Sequence, residues 1–351
     1  NSNPLMDSLH SLLSTGHYEQ LEQECMQVLE SENNQSHDVL AMTHVLLSQS
    51  HWRRGNRTKG EIYSAIALKM LNEHGSTWSN TLCSQIYGNA GALHLQAGMF
   101  EKSREYLKLA LELCIDDKDT DGMSKYLMNL GVLHYYMAEV QEALRYYLQG
   151  LELANQLGDQ RKIASCETNI GMTYVSISEY ENALVYYKSA LHREESLGNA
   201  IGIASILGNM GVVYSNLGKY TKALEFYTKA MNLDEQLGIT KNRAKYFGNM
   251  GVVYGSVSDF PKALECYQNA LRIEEEQENI SGVIRQLGNI ATINKDLGDY
   301  DQALKYNEQA LELLRDFHNP DQEMHIAKNL GEIYRAKGDV SNALHYVSLQ
   351  M

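Results

Sequence analysis

Apolar and small residues return every three or four positions along short stretches of the chain, as in Tyr220, Ala223, Leu224, Tyr227 and Ala230. That spacing puts them on one face of a helix. A second such stretch, Leu207-Gly208-Asn209-Met210-Gly211-Val212-Val213-Tyr214, precedes it, and Leu217-Gly218-Lys219 lies between. Glycine just past a helix end is a common stop, because it takes the left-handed backbone without penalty. The pattern predicts a helix A from about Ile201 to Leu217, a turn at Gly218-Lys219, a helix B from about Tyr220 to Leu237 and a stop at Gly238. Pro261 and Pro320 fall in the first turn of a predicted helix, where no hydrogen bond is lost.

The same two-helix unit recurs. Asn89, Asn129, Asn169, Asn209, Asn249, Asn289 and Asn329 stand 40 residues apart. Two residues beyond each comes Gly91, Gly131, Gly171, Gly211, Gly251, Ala291 or Gly331. Phe or Tyr usually opens helix B, and Ala143, Ala183, Ala223, Ala263, Ala303 and Ala343 follow at one position inside it. Glycine inside a helix costs about 1 kcal/mol relative to alanine. Its recurrence therefore points to a close A–B crossing that offsets the cost. One helix pair cannot bury its apolar face alone, so stacked pairs share a core. Upstream, Gly16-His17-Tyr18 and Gly55-Asn56-Arg57 repeat the turn in looser register. The expectation is an all-α protein of about nine antiparallel helix pairs. Residues 1–79 form irregular capping repeats, and residues 80–351 form a regular array. By register the chain stops inside a helix B at Met351, as a segment of a longer protein would.

These residues resemble the tetratricopeptide repeat (TPR), in its 40-residue form. The register is similar to that of Pins-type polarity adaptors, kinesin light chains and TPR sensor segments of bacterial signalling proteins. The resemblance implies an α-solenoid coiled as a right-handed superhelix, with the A helices lining its concave face. It also implies that the ladder asparagines face that groove and grip a peptide.

Asn129, Asn169, Asn209, Asn249 and Asn289 are accordingly candidate peptide-binding residues, with Asn89 and Asn329 at the ends of the ladder. An amide carries a donor and an acceptor, and so pairs with peptide backbone of any sequence. A second role is open to the same groups: bonding backbone within or between repeats to fix the stacking. Four residues earlier, on the same helical face, stand Lys125, Lys245 and Arg285, with Ser165, Ser205 and His325 between and after them. Arg161-Lys162 and Lys241 open two A helices. This local basic lining suits a ligand bearing Asp, Glu, phosphate or a free C-terminus. Ordinary solvated surface charge is the alternative. Val132, Met172, Val212 and Val252, three residues after the asparagines, offer either an apolar floor or packing between helices.

Composition narrows the classes. Three prolines in 351 residues disfavour a loop-rich β protein. A formal charge of −14 argues against a nucleic-acid partner. No apolar run is long enough for a membrane-spanning helix. The five cysteines are scattered, without CxxC spacing, and read as buried thiols of a cytoplasmic protein. Asp117-Lys118-Asp119-Thr120-Asp121-Gly122 opens like a calcium loop, but its twelfth position is Met128 where coordination needs Glu. His94 and His134 occupy a position held elsewhere by Tyr, and read as interface substitutes. Glu274-Glu275-Glu276 reads as a solvated convex face. No phosphate-loop, dinucleotide, zinc-protease or serine-hydrolase motif is present, so neither an enzyme nor a cofactor is expected. The expected function is a protein–protein interaction scaffold for a protein or peptide ligand, an acidic one suiting the basic lining. The alternative is the regulatory segment of a larger signalling protein. The sequence does not fix the oligomeric state.

Overall fold

The computed structural model describes residues 4–31, 35–317 and 319–348. They form eighteen α-helices, with no strand among the described residues. The first four are α1 (Pro4–Thr15), α2 (Tyr18–Glu30), α3 (His37–Arg53) and α4 (Arg57–His74), followed by a 3-10 turn at Gly75–Thr77. Next come α5 (Asn80–Gln96), α6 (Phe100–Asp116), α7 (Thr120–Tyr136), α8 (Val140–Leu157) and α9 (Gln160–Ser176). Then follow α10 (Tyr180–Ser196), α11 (Ala200–Asn216), α12 (Tyr220–Gln236), α13 (Arg243–Ser256) and α14 (Phe260–Glu276). The last are α15 (Ile280–Asp296), α16 (Tyr300–Asp316), α17 (Pro320–Ala336) and α18 (Val340–Ser348). Odd-numbered helices are the A helices and even-numbered ones the B helices, in the repeated antiparallel pairs of a TPR α-solenoid. No described helix is long and apolar enough to cross a membrane.

Capping chemistry sets where each A helix begins. Asp119, Asp159, Asn199, Asn279 and Asn319 each accept a backbone N–H from the first turn of their helix. In this way the side chain satisfies one of the donors a helix start leaves open. The equivalent position before α13 is Ile239, which has no acceptor to offer. Helix α13 therefore starts only at Arg243, and Lys241 lies in the preceding turn instead of opening the helix as the repeat pattern suggested. The A-to-B turns close on a left-handed residue. At Gly218 (φ 68°) this lets the Lys219 N–H reach the Tyr214 carbonyl at 2.8 Å.

Two steric fits hold the layers together. Within a pair, the recurring glycine of helix A faces a large side chain of helix B. A Cβ on Gly131, Gly211 or Gly251 would come within 2.5–2.6 Å of the ring of Tyr147, Tyr227 or Tyr267. A Cβ on Gly91 would meet Leu107 at 2.7 Å. In the one A helix with Ala291 in that place, helix B carries the smaller Asn307. Alanines expected at the crossing, such as Ala143, Ala223 and Ala263, are wholly buried. Between pairs, a second glycine admits the next A helix. A Cβ on Gly88 would strike the Tyr126 ring at 2.2 Å, and one on Gly208 the Tyr246 ring at 2.8 Å. Freed of that obstacle, the Tyr126 hydroxyl donates to the Ser84 carbonyl at 2.8 Å.

Residues up to Glu179 form one compact unit, and those from Tyr180 form another. In the first unit, consecutive A helices α1, α3, α5, α7 and α9 approach one another more closely than do consecutive B helices. In the second unit the same holds for α11 with α13 and α15 with α17. Each unit is therefore tighter on its A side.

The glycine–ring fit makes a direct prediction. Gly251→Ala should lower the unfolding free energy by about 1–2 kcal/mol, because overpacking outweighs the helix-propensity gain. In a Tyr267→Asn background, which reproduces the Ala291–Asn307 pair, the same change should no longer cost stability. Urea melts of the four proteins of this double-mutant cycle measure both.

Candidate functional site

The outward stripe of each A helix is where its sequence departs from core packing. In α7 the stripe is Lys125, Asn129, Val132 and Tyr136; in α9 it is Ser165, Asn169, Met172 and Ser176. In the second unit, α11 presents Ser205, Asn209, Val212 and Asn216, and α13 presents Lys245, Asn249, Val252 and Ser256. Residues three, four and seven apart share a helical face, so each set forms one strip. Apolar side chains stand open to solvent on it: Tyr136 is 64% exposed and Val252 48%. Ile201, eight residues before Asn209 and 60% exposed, extends the strip on α11; that position was overlooked in the sequence, although the helical period places it there.

The asparagines of the ladder are not equivalent. Asn89 is 7% exposed, and its amide donates to Ser48 Oγ at 3.0 Å and Ser64 Oγ at 3.3 Å. Asn329 is 4% exposed and donates to Thr292 Oγ1 at 3.0 Å and the Gly288 carbonyl at 3.4 Å. Asn289 donates to Gln286 Oε1 at 3.3 Å. By contrast the side chains of Asn129, Asn169, Asn209 and Asn249 are half-buried and hydrogen-bond to no described residue. The cause lies in the preceding repeat. Ser48 and Ser64 hold the places taken later by glycine and by Leu107, Tyr147 or Tyr227. Where those larger side chains fill the crossing, the preceding repeat offers the amide no serine hydroxyl there, and Asn289 bonds only Gln286 of its own helix.

The basic residues divide in the same way. Arg285 donates to Glu274 Oε1 at 2.9 Å, and that carboxylate also accepts from Asn279 Nδ2 at 2.6 Å. Glu274 is 3% exposed, so it is not part of a solvated face as its acidic run suggested, and it already engages Arg285. It lies against Gly282, where a Cβ would meet its carboxyl at 2.3 Å. Lys162 pairs with Asp121 and, at 3.6 Å, with Asp159. Lys125 and Lys245 form no ion pair with a described residue. Solvent reaches both, yet surrounding protein desolvates their ammonium groups and pulls both below the ordinary lysine value. In the first unit, His10 of α1 is pushed down by burial and also by the charge of Lys125. His325 of α17 is lowered by burial too.

The remaining candidates lie off the strip. His94 tilts over Tyr106 at 5.3 Å, and His134 stacks on Tyr146 at 5.0 Å. Asp119 caps α7 through the Gly122 N–H at 3.0 Å. No group of three His, Cys, Asp or Glu among the described residues is placed to hold a metal ion. All five cysteines are free and buried, and burial raises the Cys25 and Cys166 thiols to about 12 and Cys266 to about 11.

Two outcomes follow from this geometry. Asn89→Ala should cost about 1–3 kcal/mol of stability, since it strands buried hydroxyls, whereas Asn209→Ala should stay within about 0.5 kcal/mol of wild type. Chemical denaturation distinguishes them. The raised thiols stay protonated well above neutral pH. An aromatic disulfide reagent at pH 8 should therefore leave the native cysteines untouched and titrate all five in urea.

The model of the tetratricopeptide repeat matches residues 82–156, 122–193, 202–276 and 284–347. No curated protein matches the chain. Among solved structures, the apo form of RapI superposes with a TM-score of 0.73 at 14% identity, covering 99% of this chain and 95% of that one. The apo form of the quorum sensor NprR from B. thuringiensis gives 0.73 at 16% identity, with 99% and 97% covered. A Rap protein complexed with Competence and Sporulation Factor gives 0.66 at 18% identity, with 99% and 95% covered. None of these three is a polarity adaptor or a kinesin light chain, and at such identities the likeness is one of fold. With repeat matches spanning most of its length, the chain belongs to the tetratricopeptide repeat family.

Proposed function

We propose that the protein is a peptide-responsive interaction module, and that its A-helix strips hold an extended segment of a partner. One observation carries this reading: Asn129, Asn169, Asn209 and Asn249 are half-buried amides with no internal partner, set between exposed apolar and basic side chains. A peptide backbone would supply the missing donors and acceptors, at about 0.5–1.5 kcal/mol for each bond. Val252, Met172 and Tyr136 offer contact to apolar ligand side chains, and Lys125 and Lys245 offer charge to an acidic group. Arg285 and Asn289, already engaged within the protein, would contribute by rearranging or not at all.

The names of similar structures favour a regulatory version of this reading. One is a Rap protein complexed with Competence and Sporulation Factor, another is a quorum sensor, and a third is a signal-transduction ATPase with a tetratricopeptide repeat sensor. In that version peptide binding shifts the stacking of the repeats and so controls an output domain or partner protein. The five reduced thiols support a cytoplasmic setting.

A library of random heptapeptides passed over the immobilised protein should return sequences enriched in acidic residues. Asn209→Ala with Asn249→Ala should weaken the best binder about tenfold or more without altering the melting temperature. Lys245→Glu should weaken it further and flatten its salt dependence. An anion favours charged Lys245, whose proton is held less tightly than usual. Affinity should therefore hold at neutral pH and fall as pH rises, beginning below the ordinary lysine value. Unchanged affinity in the double alanine protein contradicts the proposal.

A further inference from the structure

A cavity of about 360 Å3 lies between α4, α5 and α6, at the low end of the range used for small ligands. Its origin is three departures from the repeat. The residue equivalent to Ser64 is Leu107, Tyr147 or Tyr227 in later pairs. The residue equivalent to Ala97 is Met137, Ile177, Leu217, Val257 or Leu297. The residue equivalent to Glu61 is Arg104 and then Leu144, Leu184, Leu224 and Leu264. Two of these changes remove the side chains that would fill the crossing, and the third sets a carboxylate beside the opening. All three residues line the same cavity.

The walls have a consistent chemistry. Leu68, Leu93, Met99 and the ring of Tyr106 supply an apolar lining. His94, also in the lining, donates Nδ1–H to the Ala90 carbonyl at 2.8 Å, and in the tautomer with its proton there Nε2 is the acceptor. Glu61 and Lys102, both exposed lining residues on α4 and α6, make no ion pair or hydrogen bond with any described residue. One unpaired anion, one unpaired cation and apolar side chains therefore line one cavity. The strip of α5 proper, with Gln85, Ala92 and Gln96, lies around the helix from Leu93, His94 and Ala97.

We propose that this cavity binds a small amphipathic zwitterion of the class of aromatic or long apolar α-amino acids. The apolar side chain occupies the interior, the ammonium meets Glu61 and His94 Nε2, and the carboxylate meets Lys102. The site is separate from the peptide strip, so the two are testable apart.

Calorimetric titration of the full chain with L-tryptophan tests it, with tryptamine and indole-3-propionate as analogues lacking the carboxylate or the ammonium. L-tryptophan should bind in the millimolar range or tighter, and each analogue about fivefold more weakly. Ala97→Met and Glu61→Leu restore the side chains that other repeats carry and should fold with unchanged or higher melting temperature. The first should abolish binding and the second should weaken it about fivefold. Absence of heat with L-tryptophan, equal affinity for all three molecules, or undiminished binding in both variants would overturn the proposal.

Discussion

A missing Cβ is what the architecture depends on. At Gly131, Gly211 and Gly251 the helix gives up about 1 kcal/mol of propensity so that a tyrosine ring of its partner helix can lie against its backbone. The ring then seals the crossing with buried apolar surface. A second absence, at Gly88 and Gly208, lets the following A helix approach. Both fits act on the A helices, and each unit is tighter along that side. Polar side chains on that side are reached by solvent and desolvated by their neighbours at once. Lys125 and Lys245 record that combination.

The same fit decides what the asparagines do. Beside a tyrosine or leucine crossing, the amides of Asn129, Asn169, Asn209 and Asn249 bond no described residue, whereas that of Asn289 turns to Gln286 on its own helix. Where serines replace glycine and tyrosine, the amide of Asn89 is drawn inward and becomes part of the core. One sequence period thus carries amides in two states, and polar side chains of the preceding repeat, Ser48 and Ser64 for Asn89 and Thr292 for Asn329, mark the bonded ones. The cavity beside α4 arises from the same replacement. Ser64 both supplies a partner for Asn89 and vacates space next to Ala97.

Much of the fold was legible in the sequence because the repeat fixes the helix register. Helix B from Tyr220, the turn at Gly218 and the prolines in first turns all follow from local chemistry. Departures came where one side chain broke the local rule. Ile239 cannot cap, so α13 starts late and Lys241 falls in a turn. The candidate site was legible as a stripe but not as a set of states. That Arg285 is held by Glu274, and Glu274 buried, depends on a contact between α14 and α15 that no single-helix pattern encodes. The pairing of Gly88 with Tyr126 was readable in principle, since Gly88 and Gly208 are followed one repeat later by Tyr126 and Tyr246, whereas the bulky Met128 is followed by the small Cys166. It becomes visible only when adjacent repeats are compared as packing partners.

The most direct test of the account is solvent exchange of the asparagine side-chain amides, followed by NMR on protein labelled selectively at asparagine. Asn89 and Asn329 should exchange slowly, and Asn129, Asn169, Asn209 and Asn249 fast. The latter four alone should shift and slow when a captured peptide is added. Uniform protection along the ladder, or peptide-induced changes confined to Asn89 and Asn329, would contradict it.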